Sequence, residues 1–196
     1  NNGLKYAIQN LNNIIPIFIF TPEQIKYKNK YKSNNAIQFM VESLQDLDKN
    51  LNKYKSKLHL FYGNNIKILT KIINKIKIDN IIFNLDYTPY AIKRDKRISV
   101  LCKKNKIKMI TIEDYLLSKI GTFNKKNKEP YRIFTPFKKN GFKFNIDKPS
   151  KIKFKNLIKM SNLNESDWIL FVKNKNILVK GGRDEALKQL NILKYQ

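Results

Sequence analysis

The stretch Ile14-Ile15-Pro16-Ile17-Phe18-Ile19-Phe20 is followed from Asn34 by apolar residues at Ile37, Met40, Val41, Leu44, Leu47 and Leu51. The first run is continuous and rich in β-branched and aromatic residues, as expected of a strand covered on both faces. In the second, apolar positions recur at three and four residues, which draws one stripe along a long helix. Asp46, Asp48, Lys49 and Lys53 fall on its wet side, and Ser33 or Asn34 suits its N-cap. A buried strand leading into an amphipathic helix is the first half of a βαβ unit.

The alternation repeats downstream. Residues 58–62 read as a strand closed by Gly63, and Ile66, Leu69, Ile72, Ile73 and Ile76 form a short helical stripe. Ile81-Ile82-Phe83 is a further buried strand, 91–104 a helix with Ile98, Leu101 and Cys102 inward, and 107–112 another strand. This order predicts an α/β fold, a doubly wound, Rossmann-like parallel five-stranded sheet with helices on both faces and right-handed crossovers. Residues 3–11 read as a helix with no strand before it, whereas the first strand of such sheets is central in the common orders. The expectation is therefore a fragment whose first, central strand lies outside these residues.

Strands near 14–20, 58–62, 80–84 and 107–112 assign residues 1–118 to the α/β domain. Beyond it, 119–128 is basic, Pro130, Pro136 and Pro149 punctuate the chain, and 138–159 has no sustained apolar period. Residues 119–182 thus read as a domain exit and long connector packing over a surface, not a second domain core. Gly181-Gly182-Arg183-Asp184-Glu185 then opens a helix whose acidic first turn suits the positive end of the helix dipole, so 183–196 read as the start of a further domain.

Composition narrows the function classes. The 196 residues carry 40 Lys+Arg against 15 Asp+Glu, a net charge of +25, which favours polyanionic partners. Only Arg94, Arg97, Arg132 and Arg183 are arginines, however, and abundant Asn and Ile beside Lys also fit an AT-rich coding sequence. The longest apolar run is far short of the roughly 20 residues of a membrane span. One cysteine, Cys102, excludes an internal disulfide and fits an intracellular, reducing setting. It reads as a small apolar filler. His59, the single histidine, sits within a strand and reads as structural.

No zinc spacing, phosphate loop, GxGxxG or nucleophile elbow is present. Asp86, Asp95, Glu113 and Asp114 lack the pairing of an acid–base site. What remains is a site by architecture, because open α/β sheets bind ligands beyond the carboxyl ends of their strands. That rim includes residues 21–35 and 84–90. Asn84-Leu85-Asp86-Tyr87-Thr88-Pro89-Tyr90 sets an amide, a carboxylate and two phenols around a proline-stiffened turn, suited to a flat aromatic ligand with polar edges. The same residues equally describe an ordinary strand-to-helix loop, with Thr88 as N-cap and Pro89 at the first helical position.

Several segments resemble the DNA photolyase/cryptochrome family. Residues 33–48 resemble its first long helix, 15–20 the strand before that helix, and Asp86-Tyr87-Thr88-Pro89-Tyr90-Ala91-Ile92-Lys93-Arg94-Asp95 its most recognisable tract in this half. Tyr131-Arg132-Ile133-Phe134-Thr135-Pro136-Phe137-Lys138 matches the exit from the α/β domain, and Gly181-Gly182 with Ala186-Leu187 the entry to its helical domain. The resemblance is to the N-terminal antenna domain and interdomain linker, most like class I cyclobutane-dimer photolyases. It implies a parent protein that repairs UV-induced pyrimidine dimers by light-driven electron transfer from reduced FAD. Flavin and damaged DNA would be held by a helical domain absent from this sequence. This segment would be noncatalytic, monomeric and without membrane contact, with Trp168 as a packing residue.

An antenna chromophore is implied, with Asn35, Asn84, Asp86, Tyr87, Tyr90 and Arg94 as pocket candidates. Tyr90 and Ala91 stand where folate-binding members carry an Asn-Glu pair, which favours a deazaflavin or flavin over folate. Alternative readings are a cryptochrome-type blue-light photoreceptor, a stand-alone basic nucleic-acid-binding α/β protein, and a small enzyme with Asp86 as base.

Overall fold

The computed structural model describes residues 1–26, 29–146, 148, 153–163, 165–169 and 173–194. Helix α1 (Asn2–Asn10) leads to strand β1 (Ile17–Phe20), the short α2 (Pro22–Ile25) and the long α3 (Asn34–Asn52). Then follow β2 (His59–Tyr62), α4 (Asn65–Lys75), β3 (Asn80–Asn84), α5 (Pro89–Lys104) and β4 (Lys108–Ile112). Helices α6 (Phe134–Gly141) and α7 (Arg183–Lys194) come last.

Local chemistry sets the helix starts. The Ser33 hydroxyl accepts the Ala36 N–H at the head of α3, and the Asn64 side chain accepts the Ile66 and Lys67 N–H groups at the head of α4. At α5, Thr88 caps Ala91 N–H and Pro89 occupies the first turn, where its missing N–H costs nothing. In α2 the Gln24 carboxamide oxygen accepts both the N–H and the hydroxyl of Thr21.

Four parallel strands form two pairs, β1–β2 and β3–β4, in registers Ile17↔His59 through Phe20↔Tyr62 and Asn80↔Lys108 through Asn84↔Ile112. Among the described residues no ladder joins β1 to β3. Side chains join the pairs instead. On one face Ile17 and Ile19 of β1, with Ile81 and Phe83 of β3, pack on a core of Leu69, Ile98, Cys102 and Ile107 from α4, α5 and the entry to β4. On the other, Phe20, Ile37, Val41, Leu51 and Leu60 form a second core, reached by Leu4 of α1.

The connector packs against the α/β layer. Leu157 and Leu163 are buried, Leu157 pairing with Ile14 in an isolated bridge, and Phe154, Met160 and Trp168 lean on the cores. It also contains α6, which periodicity did not announce. The helix is only eight residues long, buries no side chain and carries Pro136 in its first turn, where proline is tolerated. Phe123 organises the region, with Phe137 and Phe144 at its edges, ring centroids 6.2 and 5.4 Å away. Pro149 lies outside the described residues.

His59 is fully buried: the Met160 N–H donates to Nε2 at 3.3 Å, so the ring proton sits on Nδ1 and is donated to Glu165 at 2.8 Å. Cys102 is buried beside Ile98, and burial pushes its thiol pKa up, away from reactivity.

Candidate functional site

Three connections meet beyond the carboxyl ends of the strands: α2 after β1, the head of α4 after β2, and the head of α5 after β3. Between them lies a cavity of about 190 Å³ bordered by Glu23, Asn64, Asn65, Tyr90, Arg94 and Arg97. The helical repeat of α5 turns Tyr90, Arg94 and Arg97 to one side, at steps of four and three. Arg94 is held in place: its Nε donates to the buried Asp95 at 2.7 Å, and its guanidinium lies 5.8 Å from the centre of the Phe83 ring. Tyr90 is 44% exposed, leaving a ring face open.

Of the six pocket candidates, the structure brings Tyr90 and Arg94 together. Asp86 Oδ1 accepts the Thr88 N–H at 3.0 Å and so shapes the turn into α5. Asn84 points to α1: its Oδ1 accepts the Gly3 N–H at 3.1 Å and its Nδ2 donates to Asp114 at 3.1 Å. Asn35 accepts from the Asn174 side chain at 3.2 Å and borders a different cavity, with Phe39, Ile177 and Leu178. Tyr87 meets the Tyr115 ring edge-on at 6.3 Å. Its hydroxyl is shielded from solvent with no partner among the described residues, and burial, then the charge of Glu113, raises its pKa.

Glu23 lies in the anticipated rim loop 21–35 without having been singled out, whereas Asn64, Asn65 and Arg97 were not anticipated at the site. The rim rule covers the turn after β2, so Gly63-Asn64 could have been included. Arg97 was legible too, one helical turn beyond Arg94 on a known helix. Among the described residues no group of three or more His, Cys, Asp or Glu is placed to hold a metal. Nor, among them, is any helix long and apolar enough to cross a membrane.

Residues 1–151 match the family model for DNA photolyase. The chain belongs to the DNA photolyase family. An archaeal photolyase from Sulfolobus tokodaii, solved with two FAD molecules, superposes with a TM-score of 0.86 at 36% identity, over 97% of this chain and 42% of that one. Cryptochrome-1 of Aedes aegypti is 31% identical over 97 residues, half of this chain and 17% of its own length. The deoxyribodipyrimidine photo-lyase of Agrobacterium fabrum is 25% identical over 138 residues, 70% of this chain and 28% of the relative. The chain thus spans well under half the length of these relatives. Its Rossmann-like α/β domain is that of the photolyase N-terminal half.

Proposed function

We propose that this chain is the antenna-chromophore domain of a deoxyribodipyrimidine photolyase, holding its chromophore over the strand ends against Tyr90, Arg94 and Arg97. The observation that carries this reading is the rim cavity, edged by a phenol and two arginines without a paired acid–base constellation, in a chain of this family. A bound flavin or deazaflavin would supply light absorption and transfer of the excitation through space. The protein's part is to bind and orient. The open face of Tyr90 stacks on a ring system. Arg94, already fixed by Asp95 and Phe83, loses little freedom on meeting an anionic or carbonyl edge. Glu23 offers an acceptor for a ring N–H or a hydroxyl.

In the longer protein, repair of UV-induced pyrimidine dimers by reduced FAD would belong to other residues, with this basic domain adding attraction for DNA. We take that protein to be an intracellular monomer. Titration of the purified chain with riboflavin, FMN, FAD and a deazaflavin, read by fluorescence, tests the antenna role. Binding is expected, weakened about tenfold in Tyr90→Ala or Arg94→Ala by loss of one good contact. Failure of every flavin and deazaflavin to bind would overturn it.

The likeness to an insect cryptochrome keeps a second reading, a blue-light photoreceptor. Light-dependent dimer repair by the longer protein separates the two, since a flavin-loaded form without repair favours the photoreceptor.

A further inference from the structure

Beside the rim cavity, one exposed face of the domain combines apolar surface with unusually dense positive charge. An open groove of about 540 Å³ runs along α5 where that helix packs beside α4. Its floor is Ile66 from α4 with Val100 and Leu101 from α5, and its banks are Lys93, Lys96, Arg97 and Lys104. We infer that this groove is a docking site for an acidic amphipathic helix of a partner protein.

The groove follows one face of one helix. Lys96, Arg97, Val100 and Lys104 stand three, four, seven and eleven residues beyond Lys93, the spacing of a single helical stripe. At 1.5 Å rise per residue the stripe runs for roughly 16 Å, about three turns of a docked helix. The four cations are exposed, and Val100 in their midst is 63% exposed. A single exposed apolar residue is ordinary on a surface. This one adjoins the half-buried Ile66 and Leu101, which carry the apolar strip down to the core of Leu69 and Ile98.

Charge complementarity names the occupant. Among the described residues no carboxylate borders the groove. Asp95, the one acid of α5, is buried and accepts from Arg94 Nε, so it is already matched. A second copy of this chain would bring a like charge of +25, which opposes self-association through this face. The floor then decides between polyanions. A phosphodiester backbone would meet the banks and gain nothing from Ile66, Val100 and Leu101, none of which offers an aromatic face for a base. A helix with apolar residues three and four apart lays them on this floor, while the Asp and Glu beside them reach the lysine and arginine heads. Lys93 and Arg97 also border the rim cavity, whereas Lys96, Val100 and Lys104 belong to the groove alone, so the groove can be probed without touching the antenna site.

The test is fluorescence anisotropy of the 196-residue chain with a labelled alanine-based peptide of about 18 residues, long enough to be helical, carrying leucines three and four apart flanked by glutamates. At about 0.15 M salt, where long-range attraction is screened, it should bind at least about tenfold more tightly than the same peptide with serine in place of leucine. Val100→Asp, and Lys96→Glu combined with Lys104→Glu, should each weaken binding about tenfold or more, as loss of one or two good contacts does. Val100→Ser, the milder change, should act in the same direction. Lys126→Glu combined with Lys139→Glu, exposed lysines outside α5, should change affinity less than about twofold, the mark of a local site. Equal affinity for the leucine and serine peptides would overturn the docking site, leaving only the general field of a basic chain. An affinity indifferent to the Val100 changes and to the double reversal at Lys96 and Lys104 would overturn it too. Loss of short-duplex DNA binding in those variants, with peptide binding unchanged, would assign the stripe to nucleic acid and overturn the inference.

Discussion

At the scale of single residues, Asn84 and Tyr90 show how neighbouring polar side chains in one tract divide between structure and site. The Asn84 carboxamide ties the head of α1 to the end of β4, accepting from Gly3 and donating to Asp114, with Asn1 Oδ1 a further 3.3 Å acceptor. Asn84→Ala strands these partners and should cost about 1–3 kcal/mol in urea unfolding, as for a part-buried polar group left unpaired. Flavin affinity should stay as it was; a loss of affinity without a loss of stability would place Asn84 in the pocket after all. Glu165 offers a pH test. Burial pushes its pKa up, but hydrogen bonds from Lys57 at 2.7 Å and from His59 outweigh that and hold it below the usual carboxylate range. Its folded pKa is thus lower than the value of about 4.3 for an unfolded glutamate. The unfolded chain therefore binds the proton first, so the contribution is complete above that value and is lost as pH falls through the folded pKa. Denaturation midpoints between pH 7 and 3.5 should fall more steeply for the unmodified protein than for Glu165→Gln. Parallel acid limbs would show that the carboxylate contributes nothing.

At the scale of elements, α3 receives the start of α7 through its own side chains. Glu42 accepts the Gly181 N–H at 2.9 Å, Ser43 Oγ the Gly182 N–H at 3.0 Å, and Asp46 the Arg183 N–H at 2.8 Å. Three successive amides ahead of and within the α7 head are thus satisfied by one face of another helix. The approach requires glycine: a Cβ on Gly181 would overlap the Phe39 carbonyl oxygen, and Gly182 has φ +112°, a conformation that side-chain-bearing residues rarely adopt. Gly181→Ala should therefore lift α7 from α3, costing about 1–3 kcal/mol, the usual range for overpacking. Hydrogen exchange across 183–194 would rise selectively; unchanged protection there would mean that the joint does not hold the helix. The Gly-Gly pair and the acidic turn after it were legible as a helix start, but the acceptors across the interface, 135 residues and more away in sequence, were not. Long periodic segments were likewise readable, because α3, α4 and α5 each bury a stripe against a core. Helix α6 was not, since nothing of it is buried. The site was half legible for the same reason: Tyr90 and Arg94 lie on a helix whose phase is known, whereas Asn35, Asn84, Asp86 and Tyr87 sit at loops or element ends, where partners decide direction.

At the scale of the whole molecule, the distribution of burial inverts the usual order of a sheet. Three of the four β2 residues are buried, yet every residue of β3 and all of β1 except Phe20 are only half-buried, although β1 and β3 are flanked by cores. The hydrogen bonds explain the asymmetry. Pro16 and Phe20 carbonyls accept from His59 and Gly63, so the even-numbered positions of β1 face β2, because a parallel strand serves one neighbour with alternate residues. Ile17 and Ile19 then turn their N–H and C=O groups to the opposite edge. In β3 the Asp79 carbonyl accepts from Lys108, and Leu85 N–H donates to Ile112, so Asn80, Ile82 and Asn84 turn theirs away from β4. The two pairs are held as one body by side-chain packing on α4 and α5 and by α1 on the other face, with no ladder across the junction among the described residues. Amide protection in this chain should therefore alternate along both strands. Ile17, Ile19 and Ile82 should exchange at least about a hundredfold faster than Phe18, Phe20 and Phe83, since unpaired strand-edge amides need no opening of the ladder. Protection of Ile17 and Ile19 equal to that of Phe18 and Phe20 would mean that the junction is closed by backbone bonds, and the two-pair sheet would have to be abandoned.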